Sequence, residues 1–130
     1  MLNPIKLASK NFLSSLDISY EEFLHILEIA KNFKNKNLNI KLKDKVLGLI
    51  FDKSSTRTRV SFQVAMSRLG GTTVDLNPTT SQIGRGEPIR DTARVLSRYC
   101  DVLAIRTFNH SDLEEYAKWS SKPVINALTD

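Results

Sequence analysis

Six consecutive residues, Val46-Leu47-Gly48-Leu49-Ile50-Phe51, are apolar without a break. A strand with one wet face alternates polar and apolar side chains. A strand covered on both faces reads as a continuous apolar run, the pattern of a parallel sheet sandwiched between helices. Parallel neighbours need crossover connections, commonly helical, and the flanking segments supply them. A polar turn from Asp52 to Ser55 leads into Thr56 through Leu69, where Val60, Phe62, Val64, Ala65 and Leu69 are the apolar positions and Gly70-Gly71 is the stop.

The pattern then repeats. Thr72 to Leu76 reads as a second strand and Asn77 to Glu87 as a loop rich in Pro, Thr, Ser and Gly. Pro88 or Ile89 opens a helix to about Tyr99, with Ala93, Val95 and Leu96 as its buried positions. Val102 to Ile105 is a third strand. Ser111 with Glu114 marks a capping box for a helix to about Trp119, and Pro123 to Ala127 is a fourth strand. Ahead of all these, Ser19 and Glu22 form another capping box, followed at helical spacing by Phe23, Ile26, Leu27, Ala30 and Phe33. The order predicts an α/β domain: a four-stranded parallel sheet flanked by helices, with right-handed crossovers. A length of 130 residues suits one domain, residues 1–130.

Charge and composition narrow the function classes. The net charge of +5 invites a nucleic-acid reading. The segment from Lys31 to Lys53 alone carries seven lysines against Asp44 and Asp52, so the rest of the chain sums to zero. That run is threaded with asparagines, has one aromatic residue (Phe33) and no arginine, which fits a solvated loop or helix end better than a nucleic-acid surface. No apolar stretch approaches the roughly 18 residues of a membrane span, and the first residues lack the apolar core of a secretory signal. Cys100 is the only cysteine, and His25 and His110 are the only histidines. No internal disulfide can form, and a multi-ligand metal site is not expected. A cytoplasmic protein without metal, membrane or nucleic-acid partner is the expectation.

Ligands of open parallel sheets sit outside the carboxyl ends of the strands, which directs attention to three places. At the first, Ser55, Thr56 and Thr58 put hydroxyls at a helix start, where N–H groups are unpaired and the dipole is positive, and Arg57 and Arg59 add guanidinium forks. That is the physical outline of a phosphate site, although an ordinary helix cap with surface arginines would read the same. The Walker glycine pattern is absent. At the second, Ser81 to Pro88 carries Gln82, Arg85 and Glu87 between glycines that permit closure over a ligand, or makes a plain surface loop. At the third, Arg106 follows an apolar strand, where it either faces a ligand or caps the sheet edge.

Together these blocks resemble one family. FDKSSTRTRVSFQVAMSRLGG, from Phe51 to Gly71, is similar to the Ser-Thr-Arg-Thr-Arg box of the aspartate and ornithine carbamoyltransferases. NFLSSLDIS, SQIGRGEPIRDTARVLSRYCD, AIRTF and PVINALTD look like the ornithine branch. The aspartate branch carries a lysine in the second loop and Met-Arg-His-Pro after the third strand, whereas Arg106 here precedes Thr107-Phe108. The resemblance runs from about Phe12 to Asp130.

It implies the carbamoyl phosphate-binding half of a two-domain fold. Ser55, Thr56, Arg57 and Thr58 would cradle the phosphate, Thr58 also reaching the carbonyl oxygen, and Arg106 would bind phosphate and polarise that carbonyl. Gln82 would act from the adjacent subunit of a homotrimer. Glu87 would support Arg57, and Arg59 would serve packing or a salt bridge. No cofactor is implied, and Cys100 matches no active-site cysteine. The family's His-Pro-x-Gln box and its ornithine-binding domain are not in this sequence, so L-ornithine would be a partner only with a second domain. The 130 residues alone are expected to be inactive. A stand-alone phosphate-binding or subunit-assembly module and an aspartate acceptor remain the alternatives.

Overall fold

The computed structural model describes residues 5–36, 38–77 and 86–129. After a short 3₁₀ turn, Ser15–Asp17, the elements run α1 (Tyr20–Lys34), β1 (Val46–Phe51), α2 (Thr56–Arg68), β2 (Thr72–Leu76), α3 (Ile89–Tyr99), β3 (Val102–Arg106), α4 (His110–Trp119) and β4 (Val124–Asn126). The four strands form one parallel sheet in the order β2-β1-β3-β4. The strands and helices stand where the sequence puts them, to within a residue or two at most ends.

Strand alternation builds two cores from one sheet. Leu47, Leu49 and Phe51 of β1 join Ala104 of β3, Met66 of α2 and Ala127 on one face. Ile50, Leu103 and Ile105 meet Ala93, Cys100, Leu113, Tyr116, Ala117 and Val124 on the other, under α3 and α4. Gly48 belongs to that second face. A Cβ there would stand 2.8 Å from the Leu103 side chain and 3.0 Å from Cys100 Sγ, so close approach of α3 and β3 demands glycine. Cys100 is a buried structural thiol, 3% exposed, and burial pushes its pKa up.

Local signals explain the helix ends. Ser19 Oγ accepts from Glu22 N at 3.1 Å and Glu22 Oε1 accepts from Ser19 N at 2.8 Å, closing the expected capping box. Gly70, at φ +84°, turns the chain out of α2. The other expected box does not form: α4 starts at His110 with Asn109 as its cap residue, and Ser111 lies inside the first turn. Two faces also differ from expectation. Val95 is 52% exposed, because Thr92, Ala93 and Ser97 hold the inner side of α3. On α1, Phe23 and Leu27 remain 45% and 50% exposed, and no residue of the helix is buried.

Residues 11–13 extend the sheet past β4, an arrangement the sequence pattern did not indicate. Phe12 bridges Ile125 in parallel, Asn11 Oδ1 accepts from Val124 N at 2.9 Å, and Asn126 Nδ2 donates to Leu13 O at 2.9 Å.

Candidate functional site: the cleft between two strand ends

The chain passes from β1 outward to β2, then returns over β1 to start β3 on its other side. That reversal leaves a crevice beyond the carboxyl ends of β1 and β3, the place where α/β sheets accept ligands. Ser54, Ser55, Thr56, Arg57, Thr58, Arg106 and Leu128 line a polar cleft of about 460 Å³ there. Five of the residues expected from the sequence, Ser55, Thr56, Arg57, Thr58 and Arg106, are thus brought together by two neighbouring strands. Gln82 lies outside the described residues.

The start of α2 presents hydroxyls and open N–H groups to the cleft. Ser55 occupies the cap position in extended conformation, yet its side chain makes no capping hydrogen bond. The hydroxyl and the first-turn N–H groups are therefore left for something else, at the positive end of the helix. Arg57 is exposed beside them, and Thr58 is half-buried. Across the cleft Arg106 is half-buried, and its Nε is shielded from solvent with no hydrogen-bond partner among the described residues. A guanidinium N–H in that condition is costly unless an acceptor arrives. An oxyanion in the cleft would supply one.

The surroundings fix these groups. The Asp52 N–H donates to the Arg106 carbonyl at 2.9 Å, locking the turn after β1 against the end of β3. Arg59 does not face the cleft. It pairs with Asp75 of β2, and its guanidinium lies over the Phe51 ring, 5.1 Å from the centroid. Glu87 accepts from Thr92 Oγ1 at 2.6 Å, tying the approach to α3 onto that helix. Beneath the turn, burial and then the nearby Asp112 carboxylate push the Asp52 carboxyl above its ordinary value. Burial does the same to the Tyr116 phenol.

Sequence reasoning missed Leu128. It is 67% exposed on the rim of the cleft and adopts φ +80°, a conformation that L side chains rarely take. Side chains hold the segment there: Thr129 N donates to Asn126 Oδ1 at 2.7 Å, and Thr107 N donates to Thr129 Oγ1 at 2.9 Å. The rule of strand carboxyl ends could have found it, because Leu128 lies two residues beyond β4.

Among the described residues, no three His, Cys, Asp or Glu side chains gather as metal ligands do, and no helix is long and apolar enough to cross a membrane. The fold and cleft together define a parallel α/β domain with a polar, arginine-lined cleft at its topological switch point. The description "Aspartate/ornithine carbamoyltransferase, carbamoyl-P binding domain" matches residues 10–130, and the chain belongs to that family. An ornithine carbamoyltransferase of Prochlorococcus marinus subsp. pastoris is 81% identical over all 130 residues, which cover 42% of that relative. The chain therefore spans well under half the length of such curated relatives. Among solved structures, ornithine carbamoyltransferase from Pyrococcus furiosus matches with a TM-score of 0.88 and 48% identity, over 98% of this chain and 42% of that one. The catalytic subunit of aspartate transcarbamoylase from M. jannaschii matches with a TM-score of 0.80 and 36% identity, over 92% and 41%.

Proposed function

We propose that this chain is the carbamoyl phosphate-binding domain of an ornithine carbamoyltransferase, which transfers the carbamoyl group to the side-chain amine of L-ornithine and gives L-citrulline and phosphate. The observation that carries the reading is the convergence of an uncapped helix start with a partnerless, shielded Arg106 Nε on one cleft. Ser55, Thr56, Arg57 and Thr58 hold the phosphate oxygens. Arg106 spans phosphate and carbonyl, and Thr58 reaches the carbonyl oxygen as well.

The chemistry asks for such groups. A neutral amine attacks the carbamoyl carbon, a C–N bond forms, and the C–O bond to phosphate breaks. Negative charge grows first on the carbonyl oxygen and then on the departing phosphate, which can take up the amine's proton. Donors fixed beforehand at both positions lower the barrier electrostatically, and holding the donor molecule in place removes much of the entropic cost. Glu87, which accepts a hydrogen bond from Thr92, acts as structural support for Arg57. Gln82 reaches the same ligand from the adjacent subunit of a homotrimer. The acceptor is held by a second domain, in a cytoplasmic enzyme of arginine synthesis.

The test is an acceptor swap in a chain extended to the length of its relatives. Citrulline formation with ornithine and none with aspartate is expected. Carbamoylation of aspartate instead would reassign the acceptor, and the 130 residues alone are expected to bind carbamoyl phosphate without turning it over. Turnover by the pure 130-residue chain would contradict the division of labour between two domains.

A further inference from the structure

Helix α2 begins without the side-chain cap that ordinarily holds a first turn in place. Such a cap satisfies an N–H that would otherwise be open, and its loss lets the end fray. An anion site tolerates little fraying, since its donors must stay within about half an ångström of their working positions. Helices α3 and α4 also start without a side-chain cap, but of the three only α2 borders the polar cleft, so its first turn needs another hold.

Arg59, one turn into the helix, is placed to supply it. Its guanidinium reaches Asp75 on β2 and lies over Phe51, the last residue of β1 and only 2% exposed. One side chain thus pins the first turn to two strands. The Arg59 and Asp75 side chains are 26% and 31% exposed, so the pair is partly shielded from water. Because Asp75 neutralises it, Arg59 adds little attraction for a ligand; its part is mechanical. Lysine could supply the charge but not the planar fork that pairs and stacks at once. The opposite end of α2 has its own anchor, with Gly71 N donating to Met66 O at 2.9 Å and Leu42 N to Leu69 O at 2.7 Å.

We infer that Arg59 is a positioning residue that replaces the missing cap, holding the first turn from outside so that Ser55 and the first-turn N–H groups stay free for the anion. The inference deepens the phosphate reading of the cleft and rests on it. Hydrogen exchange tests the holding, because the amides of Val60, Ser61 and Phe62 bond the carbonyls of Thr56, Arg57 and Thr58 in helical register. In Arg59→Ala and Asp75→Asn, their protection should fall about tenfold, the scale of a lost cap, while residues 65–68 of the same helix keep theirs. Titration with inorganic phosphate should show a similar fall in affinity, and the exchanged pair Arg59→Asp with Asp75→Arg should restore part of both. Unchanged first-turn protection, an even loss along α2, or phosphate affinity untouched by a loosened turn would overturn the role of Arg59. A native chain that binds neither phosphate nor carbamoyl phosphate would overturn the site reading itself.

Discussion

Phe51 and Arg106 are register partners across β1 and β3. The residue that ends one strand and the cation that ends the next therefore stand side by side, and the following peptide bonds one to the other. This is why a short turn suffices to aim the start of α2 and Arg106 at one point. Changing Arg106 to Ala should leave the backbone bond from Asp52 intact while removing a shielded, partnerless N–H. Phosphate affinity should drop between about tenfold and a hundredfold, the value of a charge-assisted hydrogen bond. The ligand-free melting temperature should hold or rise slightly. Calorimetry of binding and of unfolding on the same variant separates the two effects.

Gly48→Ala tests the tight seam between β1 and α3. The added methyl would meet Leu103 and Cys100 at 2.8 and 3.0 Å, and overpacking of this kind costs about 1–3 kcal/mol. Urea unfolding should show that loss, and shortening Leu103 to Val in the same chain should recover part of it.

A buried hydroxyl pair joins α3 to the turn before β4. Ser97 Oγ donates to Ala93 O at 2.6 Å, lies 3.0 Å from Ser120 Oγ, and accepts from Ser121 N at 3.1 Å. Ser97→Ala leaves that N–H without its acceptor and should cost about 1–3 kcal/mol. Little change in urea midpoint would mean that the turn relaxes to bond elsewhere.

The raised Asp52 carboxyl makes a pH prediction with a definite sign. The folded state holds this proton more tightly than the unfolded chain does. The group therefore favours folding below the ordinary aspartate range near pH 4, and its contribution fades as pH rises through its folded value. Asn mimics the protonated form, so Asp52→Asn should raise the melting temperature at pH 7 and leave it unchanged near about pH 3. A gain that persists in acid, or a loss at neutral pH, would contradict the burial argument.

Much of this was readable because it is local. The unbroken run from Val46 to Phe51 specifies a strand covered on both faces, and the hydroxyls and arginines following it mark the helix start that lines the cleft. What was hidden depends on partners far along the chain. The pairing of residues 11–13 with β4 joins Phe12 to the Val124 and Asn126 backbone, with Asn11 bonding Val124 and Asn126 bonding Leu13, each across 113 positions. Leu128 takes its left-handed backbone only because Asn126, Thr129 and Thr107 hold the segment. Helical spacing alone marks Val95 as buried, but Thr92, Ala93 and Ser97 are the buried residues of α3 and take its inner side. By residue type Arg59 and Arg57 are alike, and only the family resemblance set Arg59 apart as a packing or salt-bridge residue. Which groups it meets, Asp75 and the Phe51 ring, depends on the approach of β2 and β1 in the fold.

The central claim is that the β1–α2 turn and Arg106 form a carbamoyl phosphate site, and isothermal titration tests it most directly. Carbamoyl phosphate, with inorganic phosphate as the control, would be titrated into the 130-residue chain and into Arg57→Ala. The account predicts saturable binding of both anions by the native chain. In the folded variant, binding should weaken about tenfold to a hundredfold, the worth of a bidentate charge-assisted contact. No binding by a folded native chain, or equal binding by the variant, would contradict it.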